Sequence, residues 1–183
     1  ATTIADGVAV KTPGDKVFPY VQKNLDEIIT ISDDELVAAF LDVMEKHKMI
    51  AENAGLVTVA ALRHLQCRDQ NVVSILSGGN MDVITMASVV QNGLIRRGRI
   101  FTFSVHLPDR PGELLRVAQI LAEHAGNVIK LEHNQFVNVN RASSVELRVT
   151  LEAFGHDHKQ EILEALHQDG YDAAETGTSK IYD

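Results

Sequence analysis

The sequence IFTFSVHL at residues 100–107 alternates apolar with polar side chains, which predicts a half-buried β-strand. The segment Asp109–Glu113 follows, and its Pro111 occupies a place typical of the first turn of a helix. Apolar residues then recur at helical spacing as far as Leu121, and Gly126-Asn127 stops the helix. This part of the chain therefore begins with a strand followed by a helix.

The rest of the second half continues in the same way. Strand character returns at Val128–Gln135 and at Val145–Leu151, where apolar and polar residues alternate again. A helix is predicted around Lys159–Gln168, and Tyr171–Glu175 has the character of a last short strand. The order is β-α-β-β-α-β, the ferredoxin-like arrangement of two helices on one face of an antiparallel sheet.

The first half predicts helices and one buried strand. The capping-box sequence Ser32–Glu35 precedes apolar residues at helical spacing, which predicts a helix to about Lys48. Further helices are predicted at Ala54–Leu65 and Met81–Leu94. Between them, Val72–Leu76 is short and rich in β-branched residues, as in a buried strand of a parallel sheet.

A strand of that kind needs parallel neighbours, and the first half supplies too few of them. We therefore expect rearrangement, extra contacts in an oligomer, or poor order over residues 1–30. The basic stretch Arg96–Arg99 is interpreted as a linker, which places the domains at residues 1–97 and 98–183.

Charge and composition exclude several classes of function. The 183 residues carry a formal net charge of −8, which argues against binding to nucleic acid or to an anionic membrane. Cys67 is the only cysteine, which excludes an internal disulfide and favours a reducing cytoplasm. No apolar run approaches the ~18 residues of a membrane span. The first residue is alanine, so a processed or truncated start is possible.

Two loops are candidate sites. In Ser77-Gly78-Gly79-Asn80 the glycines allow close backbone approach and Ser77 presents a hydroxyl, so this turn fits a cofactor ring or phosphate. The spacing alone is more typical of a plain strand-to-helix turn than of such a site. In the second half, Asp109–Glu113 leads into a helix N-terminus whose amides favour the carboxylate of a small ligand, although turn chemistry alone also explains it. We expect Asn127, at the start of the next strand, to be close enough to meet the same ligand.

Other chemistries have weaker support. Glu52 stands at the start of an apolar helix, where a carboxylate most often caps the helix. Four histidines of the second half suggest a metal site, but no carboxylate-rich surroundings support one: His124, His133, His156 and His158. The sequence has no Gly-x-Ser-x-Gly elbow, so hydrolase chemistry is not predicted.

The two halves resemble two known families. Residues 1–95 resemble the C-terminal part of the catalytic domain of pyridoxal-phosphate-dependent threonine dehydratases, a tryptophan synthase β-like α/β fold, at Thr3–Val10, Glu52–Gly55 and Leu76–Asp82. Residues 100–183 resemble an ACT domain, with Asp109–Leu114 as its signature. In this order the two halves resemble the threonine dehydratases that carry an ACT domain.

The resemblance implies a role for each matching residue. Ser77 matches the serine that hydrogen-bonds the pyridine nitrogen of pyridoxal phosphate, with Gly78 beside it, and Glu52 matches an acid near the cofactor. Asn53 departs from the family, in which proline or glycine is common. In the ACT domain the resemblance implies an amino-acid effector, isoleucine or valine, where the loop of one copy meets its neighbour. We expect five residues of the loop and one of the next strand to bind it: Asp109, Arg110, Pro111, Gly112, Glu113 and Asn127.

The catalytic parts of this family lie upstream of the segment matched by Thr3. These are the Schiff-base lysine, the Ser-Gly-Asn-His substrate loop and the glycine-rich phosphate cradle. We therefore expect this chain alone to have no catalytic residue, no dehydratase activity and no bound cofactor, while the parent converts L-threonine to 2-oxobutanoate and ammonia. We expect a dimer or tetramer formed through the ACT domain. Two alternatives stay open: a structural dimerisation module without a ligand, or part of a complete enzyme whose upstream half is on a separate chain.

Overall fold

A computed structural model describes residues 2–134 and 145–178. The chain folds into two compact units, Ala1–Gly93 and Leu94–Asp183. Their boundary falls near the end of a helix, a few residues before the boundary expected after Arg97. No helix in the described ranges is both long enough and apolar enough to cross a bilayer.

The first unit is built on one long amphipathic helix. Its helices are α1 (Phe18–Asn24), α2 (Asp33–His47), α3 (Val57–Ala61) and most of α4 (Val83–Arg96). The predicted capping box is confirmed at α2: the Glu35 backbone N–H donates to Ser32 Oγ, and the Ser32 backbone N–H donates to Glu35 Oε2 at 2.8 Å. One face of α2 is buried and forms most of the core of this unit, with Phe40 and Leu41 at its centre.

Helix α4 packs on α2 through a residue that has no side chain. A Cβ on Gly93 would lie 2.4 Å from Leu41 Cδ1, so a larger side chain there would push Leu41 aside. The predicted helix at Met81–Leu94 is confirmed, with its start at Val83.

Two predictions for the first unit are corrected. The helix expected at Ala54–Leu65 is formed only over Val57–Ala61. The strand expected at Val72–Leu76 is not formed, because no other extended segment of the described residues lies beside it to complete a ladder. Its apolar side chains are left exposed, Val73 by 89% and Ile75 by 72%.

The second unit confirms the predicted β-α-β-β-α-β order. Its elements are β1 (Ile100–Leu107), α5 (Glu113–Glu123), β2 (Asn127–Asn134), β3 (Val145–Glu152), α6 (His156–Gln168) and β4 (Ala174–Thr176). In the described ranges these strands form one antiparallel sheet in the order β2-β3-β1-β4. Gln135, the last residue of the predicted second strand, lies outside the described residues.

The core of this unit lies between the sheet and its two helices. Alternate residues of β1 and β3 are buried against α5 and α6, among them Phe101, Phe103 and Leu147. On the opposite face of the sheet, Thr102 and Thr150 are buried as a pair, with 2.9 Å between their hydroxyl oxygens. The alternation read from residues 100–107 therefore corresponds to a helix-covered face and a polar face.

The strand register gives the sheet two distinct ends. Ile100 pairs with Glu152, which also pairs with Asn127, and these residues define the Ile100 end. Leu107 pairs with Val145 at the other end, the Leu107 end, where the loop from β1 to α5 begins. Helix α5 begins at Glu113, so Pro111 lies in this loop and not in the first helical turn.

Candidate functional sites

In the first unit, two distant segments of sequence are brought together at the predicted cofactor-binding residues. The Glu52 backbone N–H donates to the Gly78 carbonyl oxygen at 3.4 Å. A Cβ on Gly55 would lie 1.6 Å from the Ser77 carbonyl oxygen, so only glycine allows this approach. Gly78 has φ +76°, and a Cβ there would lie 2.1 Å from Glu52 Oε1. Glu52, Ser77 and Gly78 therefore lie at one place in the fold.

An acidic cleft of about 310 Å³ opens beside Glu52. It is lined by Thr3, Ile4, Asp6, Glu52, Asn53, Asn80, Met81, Asp82 and Thr85. These residues include three carboxylates and no lysine, arginine or histidine. Asp82 accepts hydrogen bonds from the Thr85 hydroxyl and from the backbone N–H groups of Ile84 and Thr85. The Thr85 hydroxyl, followed by its backbone N–H, lowers the pKa of Asp82 below its ordinary value.

Asn53 connects the two walls of this cleft. Its side chain is buried, and Nδ2 donates to the Ile4 carbonyl oxygen at 3.0 Å. Its Oδ1 is buried without a hydrogen-bond partner among the described residues. The departure from the family at this position is thus a residue that fixes Thr3–Asp6 against Glu52–Gly55.

In the second unit, a cleft of about 320 Å³ lies at the Leu107 end of the sheet. It is lined by Leu107, Pro108, Asp109, Arg110, Pro111, Gly112, Glu113, Leu114 and His133. Gly112 precedes α5 with φ +100°, a conformation that favours glycine. Among the described side chains none caps the N-terminus of α5, so its first amides face the loop without a side-chain acceptor. The five predicted loop residues all line this cleft.

A chain of hydrogen bonds connects the loop of this cleft to Tyr171, which lies between α6 and β4. Arg110 Nε donates to Glu113 Oε1 at 2.8 Å, and the Tyr171 hydroxyl donates to Glu113 Oε2 at 3.1 Å. Burial, followed by the hydrogen bond to Glu113, raises the pKa of Tyr171 above its ordinary value of 10.0. Arg116 and Asp169 form an adjacent ion pair, with Nε to Oδ2 at 2.7 Å. The pair holds the pKa of Asp169 below its ordinary value, chiefly through the hydrogen bonds from Arg116.

Asn127 does not join this cleft within one chain. It lies at the Ile100 end of the sheet, where Nδ2 donates to Glu152 Oε2 at 2.7 Å. Strand β2 extends from Asn127 to Asn134, so its two ends are roughly 23 Å apart at about 3.3 Å per residue. The expectation that Asn127 and the Asp109–Glu113 loop of the same chain meet one ligand is therefore corrected.

Three of the four histidines that could suggest a metal site contact other groups, whereas His133 lines the cleft at the Leu107 end. His124 Nδ1 lies 3.0 Å from Glu161 Oε1, and His156 Nε2 lies 2.9 Å from the Arg96 carbonyl oxygen. His158 contacts the His124 carbonyl oxygen at 2.6 Å through Nε2 and accepts from the Phe154 backbone N–H through Nδ1. In residues 2–134 and 145–178 no three histidine, cysteine, aspartate or glutamate side chains group as metal ligands. Cys67 is exposed.

Comparison with known families accounts for both units. Residues 1–78 match the family described as pyridoxal-phosphate dependent enzyme, and residues 101–170 match the ACT domain. An ACT domain follows a segment of the pyridoxal-phosphate-dependent enzyme family. We call residues 1–78 the PLP-family segment.

Two relatives that align with both units are L-threonine ammonia-lyases. The chain is 36% identical over 171 residues to the L-threonine ammonia-lyase of Geobacter sulfurreducens, across 92% of the chain and 42% of that protein. It is 35% identical over 176 residues to the L-threonine ammonia-lyase of Thermotoga maritima, across 96% of the chain and 44% of that protein. The chain thus spans less than half the length of these curated relatives and aligns with their C-terminal part.

Among solved structures, the chain is similar to the ligand-free regulatory subunit of aspartate kinase from Thermus thermophilus. The two are 26% identical with a TM-score of 0.34, across 43% of this chain and 50% of that chain.

The residues of the PLP-family segment fit one part of pyridoxal phosphate. Ser77 is exposed at the turn, where its hydroxyl can meet a ring nitrogen, and Gly78 and Gly79 present bare backbone beside it. The residues that line the neighbouring cleft offer no cation for the phosphate and no lysine for the aldehyde. The segment therefore fits the ring-nitrogen side of the group alone.

Two residues of these sites are not predicted from the sequence. Asn53 departs from the family pattern, but the pattern does not predict its hydrogen bond to the Ile4 carbonyl oxygen. Tyr171, the first residue of the predicted last strand, precedes β4, and its hydroxyl donates to Glu113. Gly170, with φ +90°, was the local signal that the chain turns there.

Proposed function

We propose that this chain is the C-terminal regulatory portion of a pyridoxal-phosphate-dependent threonine ammonia-lyase, and that its ACT domain binds an amino-acid effector. One observation carries the proposal. A single chain joins both family segments and aligns over 92% and 96% of its length with two L-threonine ammonia-lyases. The parent reaction would convert L-threonine to 2-oxobutanoate and ammonia, with L-serine as a slower substrate.

The cleft at the Leu107 end has the chemistry for an apolar amino acid. Backbone amides at the start of α5 favour the ligand carboxylate, and Asp109 is available to its ammonium group. Leu107, Leu114 and the two prolines supply an apolar wall for the side chain. Isoleucine or valine therefore fits the lining, and the backbone of Arg110–Glu113 would bind it.

A second copy of the chain would bring Asn127 to this site. Strand β2 is at the edge of the sheet, with Val128 and Leu131 exposed by 41% and 43%. If the β2 strands of two copies pair antiparallel, the first residue of one lies beside the last residue of the other. Asn127 of one copy would then approach the Asp109–Glu113 loop of its neighbour. The exposed edge of β2 therefore favours self-association through the ACT domain.

The PLP-family segment would hold one side of the cofactor in the parent enzyme. When bound, pyridoxal phosphate supplies the electron sink for β-elimination. The Ser77 hydroxyl would hydrogen-bond the ring nitrogen and leave it uncharged, and Glu52 would lie beside it. No residue of this chain is assigned the covalent role of the Schiff-base lysine, so we expect the chain alone to be inactive.

Calorimetric titration of the purified chain tests the effector. L-Isoleucine and L-valine should release or absorb heat at one site per ACT domain, while L-lysine and L-aspartate should give none. An effector regulates only if it prefers one assembly state, and a tenfold preference corresponds to about 1.4 kcal/mol of coupling. Light scattering with and without the bound amino acid therefore accompanies the titration. The chain should produce no 2-oxobutanoate from L-threonine, and turnover by the chain alone would contradict this part of the proposal.

The exposed edge strand also favours a second candidate, a structural dimerisation module. That function predicts a dimer of unchanged size and no heat with any amino acid. A dimer with an intact circular dichroism spectrum that binds none of the amino acids would establish it and exclude an effector.

A further inference from the structure

The Tyr171 ring is fixed in the ACT domain, and its hydroxyl reaches the effector cleft. The ring packs against the buried core, in the connection between α6 and β4. The hydroxyl donates to Glu113 Oε2 at 3.1 Å, across 58 residues of sequence. Burial, followed by the hydrogen bond to Glu113, raises the pKa of Tyr171 above its ordinary value of 10.0, which is consistent with a phenol that donates this hydrogen bond.

Glu113 connects Tyr171 to Arg110 by accepting a hydrogen bond from each. One carboxylate oxygen accepts from Tyr171 and the other accepts from Arg110 Nε at 2.8 Å. The Glu113 side chain is 20% exposed, whereas the Arg110 side chain is 69% exposed at the rim of the cleft. The bond uses only Nε–H, and no described residue accepts from the terminal amino groups of Arg110. The amino groups of a guanidinium can donate paired hydrogen bonds to the two oxygens of one carboxylate.

We propose that Tyr171 is a positioning residue of the effector cleft, which fixes Glu113 so that Glu113 holds Arg110 ready for the carboxylate of an amino acid. This inference rests on the proposed function. An exposed arginine loses rotamer freedom when it binds a ligand, and a side chain that is already restrained loses less. Tyr171 therefore strengthens binding without touching the ligand.

The neighbouring ion pair separates this role from a structural one. Arg116 and Asp169 also join α5 to the connection that follows α6, with 2.7 and 2.5 Å between their paired atoms. Removal of the Tyr171 hydroxyl therefore leaves this connection attached to α5. The ring remains in place in Tyr171→Phe, so the variant isolates the hydrogen bond.

The first test is a double-mutant cycle for L-isoleucine binding in the whole chain. Loss of one hydrogen bond in Tyr171→Phe should weaken binding by about threefold to tenfold. In an Arg110→Ala background the same change should have no further effect, because the link passes through Arg110. L-Isoleucinamide, which has no carboxylate, should bind both forms alike. Tyr20→Phe, at an exposed tyrosine of the first unit, is the matched control and should bind as the parent does.

The second test needs no ligand. Nuclear magnetic resonance measures solvent exchange of the Arg110 Nε–H, assigned by its loss in Arg110→Lys. In Tyr171→Phe the Arg110 Nε–H should exchange about threefold faster, because its own hydrogen bond to Glu113 is weakened when Tyr171 no longer holds the Glu113 carboxylate. If the Arg110 Nε–H exchanges at the same rate in Tyr171→Phe as in the parent chain, the positioning role is overturned. It is also overturned if Tyr171→Phe weakens L-isoleucine binding equally in the parent and in the Arg110→Ala background. If the parent chain binds no amino acid, the proposed effector function fails, and the exchange result alone decides whether Tyr171 positions Arg110.

Discussion

The fold strongly alters the ionisation of Glu35. The Ser32 backbone N–H and then the Ser32 hydroxyl donate to its carboxylate, and His64 Nε2 lies 2.5 Å from Oε1. Together they lower the pKa of Glu35 to about 2 from 4.5. A lowered pKa in the folded state means that the contribution to stability is complete above pH 4.5 and is lost as the pH falls towards 2.

We expect Glu35→Gln to flatten the pH dependence of unfolding in this window. Urea denaturation at several pH values from 2 to 6 measures it. Ser32→Ala removes only one of the donors, so it should flatten the curve in part. An unchanged slope in Glu35→Gln would contradict the assignment.

Ala125 ends helix α5 in a conformation that alanine disfavours. The sequence pointed to Gly126 as the helix stop, but Ala125 has φ +53°. The Gly126 N–H donates to the Leu121 carbonyl oxygen at 2.8 Å and the Ala125 N–H to that of Ala122 at 3.1 Å, the Schellman arrangement. Gly126 is instead restricted by space, since a Cβ there would lie 3.2 Å from the Leu121 oxygen.

We therefore expect Ala125→Gly to raise the free energy of unfolding by about 1 kcal/mol. Thermal and urea unfolding measure the change. Ala122→Gly is the matched control, because the same substitution inside the exposed side of α5 should lower stability by about 1 kcal/mol. Equal signs for the two variants would show that the left-handed conformation of Ala125 costs nothing.

At the scale of elements, the contact between Glu52–Gly55 and Ser77–Gly78 holds the candidate cofactor site together. Gly55→Ala places a methyl group in the Ser77 backbone and should destabilise the first unit by about 1–3 kcal/mol or more. Amide spectra should change in this unit, with those of the ACT domain retained. Gly79→Ala meets nothing within 4 Å and should be tolerated. Similar stability losses in both variants would refute the close approach.

The elements also show which features are readable from sequence. The Ser32 capping box and the alternation at residues 100–107 are local patterns, and both gave the right structure. Val72–Leu76 failed because a strand depends on neighbours that its own residues do not specify. The bond between Tyr171 and Glu113 joins residues 58 apart, so no spacing rule detects it. The position of Asn127 at the Ile100 end of the sheet follows from the strand register, which cannot be deduced from the order of the elements alone.

At the scale of the whole molecule, the edge strand β2 should govern association. A lysine at Leu131, which is 43% exposed, opposes strand pairing by charge. We expect Leu131→Lys to shift the chain towards a monomer in analytical ultracentrifugation, and to weaken amino-acid binding because Asn127 of the neighbour is lost. Leu115→Lys, on an exposed position of α5 outside the strand, is the control for added charge. A dimer unaffected by Leu131→Lys would place the interface elsewhere.

The unpaired run at residues 72–76 has a consequence for the behaviour of the chain in solution. It combines β-branched residues with no proline and no charge, and Val73 and Ile75 point largely into water. Segments of this composition nucleate intermolecular cross-β assembly when they are uncovered. Purification of this chain at high concentration should therefore favour aggregates that grow from this run.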